Sequence, residues 1–138
     1  MQREDMLAKV EAAYAARRGG DFASLQQIVA DDAVFSYAGD QSLLARMPGA
    51  GELSVHQAAQ QLFDSVELRS LERVEAVAEG NRIAILWRTT VVVPGSEPFE
   101  TLMFDLWEFD AAGKICRGTQ FVDTAKFIAV VRAADAFA

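Results

Sequence analysis

The sequence predicts an α+β fold, and three observations carry that reading. Apolar residues recur at helical spacing through about residue 66, and the period then changes to two. Three hairpin signals divide the period-two region into four long strands: Glu79-Gly80-Asn81, Pro94-Gly95-Ser96-Glu97-Pro98 and Asp110-Ala111-Ala112-Gly113. A last segment returns to helical spacing. With 138 residues, no repeat and no linker, the chain reads as one domain over residues 1–138.

Each element follows from local signals. Met6, Leu7, Val10, Ala13, Tyr14 and Arg17 form a helical stripe behind the acids Glu4 and Asp5. Arg17 and Arg18 suit the negative end of that helix's dipole, and Gly19-Gly20 stop it. Asp21 caps a short second helix carrying Phe22, Leu25, Ile28 and Val29. Asp31-Asp32 read as cap or turn residues before a short strand at 34–37. Residues 38–53, with Gly39, Pro48, Gly49 and Gly51, read mostly as loop. Ser54 and Gln57 make a capping box for a third helix, whose core stripe is Val55, Ala58, Ala59, Leu62 and Val66. Strands are expected at about 69–78, 82–93, 99–109 and 114–122. The helical segment 124–137 presents Phe127, Ile128, Val131 and Ala134.

Ten-residue strands reach about 33 Å, long enough to curl around a helix layer. The expected architecture is a strongly curved mixed or antiparallel sheet packed on three N-terminal helices, with a conical pocket and a C-terminal helical segment. The opposite parity of the central strands is apolar too, at Ala84, Leu86, Val92, Leu102, Phe104 and Leu106. An apolar patch of that size needs a cover. A homodimer through the outer sheet face supplies one; the C-terminal helix packed over it is the alternative.

Asp105 is the residue that points to a site. Its strand face reads Phe99, Thr101, Met103, Asp105, Trp107, Phe109, which places a carboxyl in an apolar row. A buried carboxyl protonates or finds partners. It is therefore either a neutral donor to a ligand oxygen or a structural acid held by Tyr or Trp donors. Tyr14 and Tyr37 either donate into the pocket or pack with their hydroxyls at its rim. Trp87 and Trp107, with Ile85 and Met103, form either a flat apolar wall for a ring-shaped ligand or plain core. Gln120 either orients a ligand as donor and acceptor or is a satisfied strand amide. His56 is the only histidine. Turned inward it is the candidate general base; otherwise it is a half-exposed residue beside the stripe of the third helix.

Several classes are excluded. Net charge is −7 and no basic cluster exceeds Arg17-Arg18, which argues against nucleic acid as a main partner. No apolar run approaches a membrane span and the N-terminus has no signal core, so a cytoplasmic location is expected. Cys116 is the only cysteine and reads as packing. Asp31, Asp32 and Asp40 have no His or Cys near them in the sequence, so no metal site is expected.

The segments Gly20-Asp21-Phe22, Ala30-Asp31-Asp32-Ala33-Val34, Asp105 through Ile115, and Phe121-Val122-Asp123-Thr124-Ala125 carry a resemblance. Over nearly its whole length the chain resembles the cone-shaped superfamily of nuclear transport factor two, ketosteroid isomerase and the SnoaL-like polyketide cyclases. That fold hosts enzymes, binders and transport factors alike. Its isomerases use an aspartate base with an oxyanion hole of a tyrosine and a protonated aspartate. The resemblance puts the protonated acid on Asp105, because Asp-x-x-x-Phe-x-x-x-Gly-Lys is kept as Asp105, Phe109, Gly113 and Lys114. The tyrosine falls on Tyr14 if the loop at residues 17–20 is one residue shorter than the family's, and on Ala13 otherwise. The base position falls on Tyr37, a poor base near neutral pH. The catalytic aspartate of limonene epoxide hydrolase falls on Gln120. What the resemblance implies is a domain binding a small apolar ligand. Its activity is isomerase-like or cyclase-like, stabilising an enolate or oxyanion of a ring-shaped substrate; the alternative is a non-catalytic ligand-binding or dimerisation module. No cofactor is implied.

Overall fold

A computed structural model of the chain describes residues 1–45, 47 and 50–134. Pro48, Gly49 and Phe137, read above as loop and helix residues, lie outside the described residues. Helices α1 (Arg3–Gly19) and α2 (Phe22–Ile28) lead into β1 (Val29–Tyr37). A short α3 (Gln41–Leu44) and β2 (Leu53–Ser54) precede α4 (Val55–Ser65). Then come β3 (Glu67–Glu79), β4 (Arg82–Val92), β5 (Phe99–Phe109), β6 (Ile115–Val122) and α5 (Thr124–Ala133).

The six strands form one sheet in the order β2-β1-β6-β5-β4-β3. Only β1 and β6 pair in parallel; the other pairs are antiparallel, so the sheet is mixed. It is open, with β2 and β3 at its two edges. The outermost strand β3 is protected by charge, since most of its residues are exposed and many are Glu or Arg.

The helix signals act as the sequence implies. Gly20 takes the left-handed conformation (φ 69°) that ends α1, and the Asp21 N–H returns to the Ala16 carbonyl at 2.9 Å. The Asp21 carboxylate accepts from the Ser24 N–H at 3.1 Å. Ser54 and Gln57 form the reciprocal capping box. On the α1 stripe, Met6, Leu7, Val10 and Tyr14 are all buried, each such side chain contributing about 1.5–3 kcal/mol of apolar burial.

Three local expectations are corrected. The strand expected at 34–37 begins at Val29, so Asp31 and Asp32 lie inside β1 rather than in a turn. The pairing with β6 shifts register between Val29 and Val34, which leaves both acids in solvent and removes the usual cost of Asp in a strand. Within the expected loop at 38–53, Asp40 accepts from Ser42 and starts α3, while Leu53–Ser54 pairs with β1. Among the described residues there are thus four helices before the long strands, not three. The alternative reading, in which α5 covers the outer sheet face, also fails among the described residues. Phe127 is buried against Phe99 on the inner side, with ring centroids 5.3 Å apart. On the outer face Leu102, Phe104 and Phe121 stay 40–51% exposed.

Candidate ligand site

The alternation of β4, β5 and β6 decides what meets between sheet and helices. Ile85 and Gln120 are the register partners of Asp105 on its two neighbouring strands. Trp87 and Trp107 lie two residues along on the same face. Trp87 therefore meets the carboxyl diagonally from β4, and Trp107 follows it along β5. From the helix layer, Tyr14 reaches the same point. Its ring meets Trp87 edge-on at 5.3 Å and Trp107 at 6.3 Å.

Asp105 is completely buried and accepts from four donors. Oδ2 takes the Tyr14 hydroxyl, the Trp87 Nε1–H at 2.9 Å and the Trp107 Nε1–H at 3.1 Å. Oδ1 takes the Gln120 Nε2–H at 3.0 Å, and the same amide nitrogen donates to the Tyr14 oxygen at 3.0 Å. Burial pushes the Asp105 carboxyl above its ordinary range, and the bonds from Tyr14, Gln120, Trp107 and Trp87 pull it back. Burial and the adjacent Asp105 also hold the Tyr14 hydroxyl well above its ordinary value, so Tyr14 stays a phenol.

The donor arithmetic has a chemical result. Indole N–H groups only donate, so Oδ2 is an acceptor and a proton on Asp105 belongs on Oδ1. With the carboxyl ionised, the Tyr14 proton and both Gln120 amide protons are committed within the set. What Tyr14 and Gln120 then turn outward is acceptor capacity: an oxygen lone pair and the Gln120 Oε1. The reverse amide orientation sets Oε1 against Oδ1, which requires a protonated carboxyl.

A cavity of about 80 Å³ lies beside this set. Ala13, Tyr14 and Arg17 of α1 line it, with Leu25, Phe35, Tyr37, Met47 and the Val55, Ala58, Ala59, Leu62 stripe of α4. Met103, Trp107, Gln120, Val122 and Phe127 close the sheet and α5 side. This volume admits several waters, whereas a cavity of ~150 Å³ takes a benzene. A single ring enters once a flexible side chain such as Met47 or Met103 yields. A polycyclic ligand requires more rearrangement.

The residues singled out in the sequence separate into two groups. Tyr14, Tyr37, Met103, Trp107 and Gln120 line the cavity. Asp105, Trp87, Ile85 and His56 are not among the described lining residues. Asp105 lies behind Tyr14 and Gln120 and touches the cavity through them. His56 is half-buried, with its Nε2 enclosed and unbonded, away from the cavity wall. No Asp, Glu or His is among the lining residues described.

Arg17 is the residue the sequence reading missed. It was read as a dipole complement, yet it is 8% exposed and lines the cavity. The signal was its place three residues after Tyr14 on the apolar stripe, which puts both on one helix face. Burial lowers its pKa, opposed by the nearby Tyr14 and Tyr37. The Tyr37 phenol is raised by burial, and the Arg17 charge draws it back.

Comparison with known proteins agrees with this architecture. The SnoaL-like domain family matches residues 10–118. An NTF2-like protein of unknown function from Burkholderia pseudomallei superposes with a TM-score of 0.77 at 18% identity, covering 95% of this chain and 98% of that one. TerC, crystallised with polyporic acid, gives 0.75 at 15% identity, covering 93% and 98%. An LEH-like epoxide hydrolase from M. tuberculosis gives 0.69 at 16% identity, covering 94% and 91%. No curated protein matches. A mixed sheet under helices, with a cavity between them, defines an NTF2-like α+β domain; this chain belongs to the SnoaL-like domain family. No helix among the described residues is long and apolar enough to cross a membrane.

Proposed function

We propose that the domain takes a small, mainly apolar molecule bearing a carbonyl or hydroxyl oxygen into this cavity, and that it stabilises negative charge on that oxygen as an enolate or oxyanion. The observation that carries the reading is the Tyr37 phenol on the wall of a mainly apolar cavity, where the buried Asp105 set fixes Tyr14 and Gln120 as acceptors for a ligand hydroxyl. Asp105 acts here as a positioning residue. Tyr37 supplies the donor, because its hydroxyl makes no hydrogen bond within the described chain and lines the same space. In such a dry site a fixed donor counts for more than in water. The chemistry is isomerase-like or cyclase-like, with the proton moved by a group of the ligand.

A specific observation favours a second reading, a non-catalytic binder: no lining carboxylate or imidazole is present among the described residues to remove a proton. One experiment separates the two. The pure protein is titrated with 3-(2-oxocyclohexyl)propanoate, a single-ring ketone whose own carboxylate can take the α-proton, and deuterium exchange at that α-carbon is followed by NMR. Uptake with exchange that slows in Tyr37→Phe supports oxyanion stabilisation; uptake without exchange supports the binder; no uptake of this or any single-ring ketone contradicts both.

The reading includes a homodimer through the outer sheet face, supported by the exposed Leu102, Phe104 and Phe121, of which the last two stack at 6.2 Å. Sedimentation equilibrium checks it. It also places the domain in the cytoplasm, where the free Cys116 stays reduced.

A further inference from the structure

We infer that the cavity's ligand is a small organic anion, a carboxylate or phenolate on an apolar body, and that Arg17 is its counter-ion. The inference rests on the cavity being a ligand site and adds the charge of what fills it.

Arg17 is a cation with too few partners. It lines the cavity and is more than nine-tenths buried. Its Nε–H is enclosed and bonds to nothing. Its one hydrogen bond among the described residues, from Nη2 to the Val66 carbonyl, is 3.5 Å long, at the outer limit for such a bond. A guanidinium does not shed its proton in a protein, so the charge remains and its burial demands compensation. The acid that Arg17 senses is Asp105, whose two oxygens already accept from Tyr14, Trp87, Trp107 and Gln120. Compensation has to come from elsewhere.

The geometry also says how an anion is received. Tyr37 adds a second uncommitted donor, and its phenol lines the same cavity as Arg17. A carboxylate or phenolate oxygen accepts from both, in charge-assisted bonds stronger than neutral ones. Apart from the Tyr14 and Gln120 acceptors, the rest of the wall is apolar and takes the body of the ligand. Arg17, with Val66 and Leu68, also lines a surface groove of about 480 Å³ that carries Arg18 and Arg69. On a chain of net charge −7, a groove with three arginines and the single acid Glu67 is a local reversal of sign. Such a patch draws anions toward the buried guanidinium.

The test is a calorimetric titration of the pure protein with a matched pair, benzoate and its neutral isostere benzamide. Wild type is expected to bind benzoate at least about tenfold more tightly than benzamide, the margin of a buried charge-assisted contact. In Arg17→Met the preference disappears while benzamide binding holds, and in Arg17→Lys part of it returns. The thermal midpoint of Arg17→Met holds or rises, because an uncompensated buried charge has been removed; a purely structural arginine would lower it. Equal binding of the two probes by wild type overturns the inference and leaves the small-molecule reading standing. Binding of neither overturns both. A benzoate preference that persists in Arg17→Met overturns the role of Arg17. The wild-type comparison needs no variant, so a variant that fails to fold leaves the test intact.

Discussion

Two sets of polar groups meet the same cavity and differ in what they have left to offer. In the first, Asp105, Tyr14, Trp87, Trp107 and Gln120 satisfy one another, and every donor proton is spent within the set. In the second, among the described residues, Arg17 keeps an enclosed N–H with no acceptor, and the Tyr37 hydroxyl on the cavity wall makes no hydrogen bond. A satisfied buried network rigidifies a core. An unsatisfied one costs stability and persists where a ligand completes it. The difference teaches that the first set is the scaffold and the second the binding end. Tyr14 and Gln120 belong to the scaffold yet turn their acceptor sides to the ligand.

The largest effect is expected from breaking the first set. Asp105→Ala leaves two indoles, a phenol and an amide without their acceptor, and urea denaturation should show a loss of about 3 kcal/mol or more, since each buried donor left unpaired costs about 1–3 kcal/mol. Gly118→Ala comes next. Gly118 is the register partner of Trp107, and a Cβ there would stand 2.3 Å from the indole ring. Overpacking of that kind costs about 1–3 kcal/mol. It also pushes the indole off Asp105, so the near-ultraviolet circular dichroism of the tryptophans should change with the stability. Tyr37→Phe, in the second set, should lie within about 0.5 kcal/mol of wild type, because no hydrogen bond is lost. A large loss there would erase the contrast between the two sets.

The pH dependence sharpens the same contrast. Burial raises the folded Asp105 above its ordinary value of 3.8. Below 3.8 both folded and unfolded forms hold the proton, and the contribution is fully present. As pH rises toward the folded value, the unfolded chain releases the proton first, and stability falls. Asp21 and Asp40, held below their ordinary values by Ser24 and Ser42, act in the opposite sense: their contribution is present above the ordinary value and is lost as pH falls. Asp105 is isolated by taking the difference between wild type and Asp105→Asn. That difference should move against wild type as pH rises above 3.8, and movement toward wild type would contradict a raised carboxyl.

How much of this was legible in the sequence depends on the range of the forces involved. Period-two alternation placed Met103, Asp105 and Trp107 on one face, and the structure keeps that face. The Ser54-Gln57 box and the Gly20 stop are local, and both are formed. The start of β1 was misplaced, because Asp31 and Asp32 look like turn residues until a parallel neighbour slips register around them. The resemblance leaves Tyr14 and Ala13 open for the tyrosine position, and the structure brings the Tyr14 hydroxyl to Asp105. What the pattern cannot encode is which side of Asp105 faces the cavity. A row of alternate residues gives a face but not the depth at which a helix seals it. Arg17 was missed for a related reason: a cation at a helix end has a sufficient local explanation, and only the packing of α1 on the sheet shows that it is buried.

The central claim is that Asp105 serves the cavity through Tyr14. A double-mutant cycle of Tyr14→Phe and Asp105→Asn, read in unfolding free energy, tests it most directly. The expected result is a coupling of about 1 kcal/mol or more, as for residues sharing one hydrogen-bond network. Single effects that add within about 0.3–0.5 kcal/mol, the behaviour of independent sites, would contradict it.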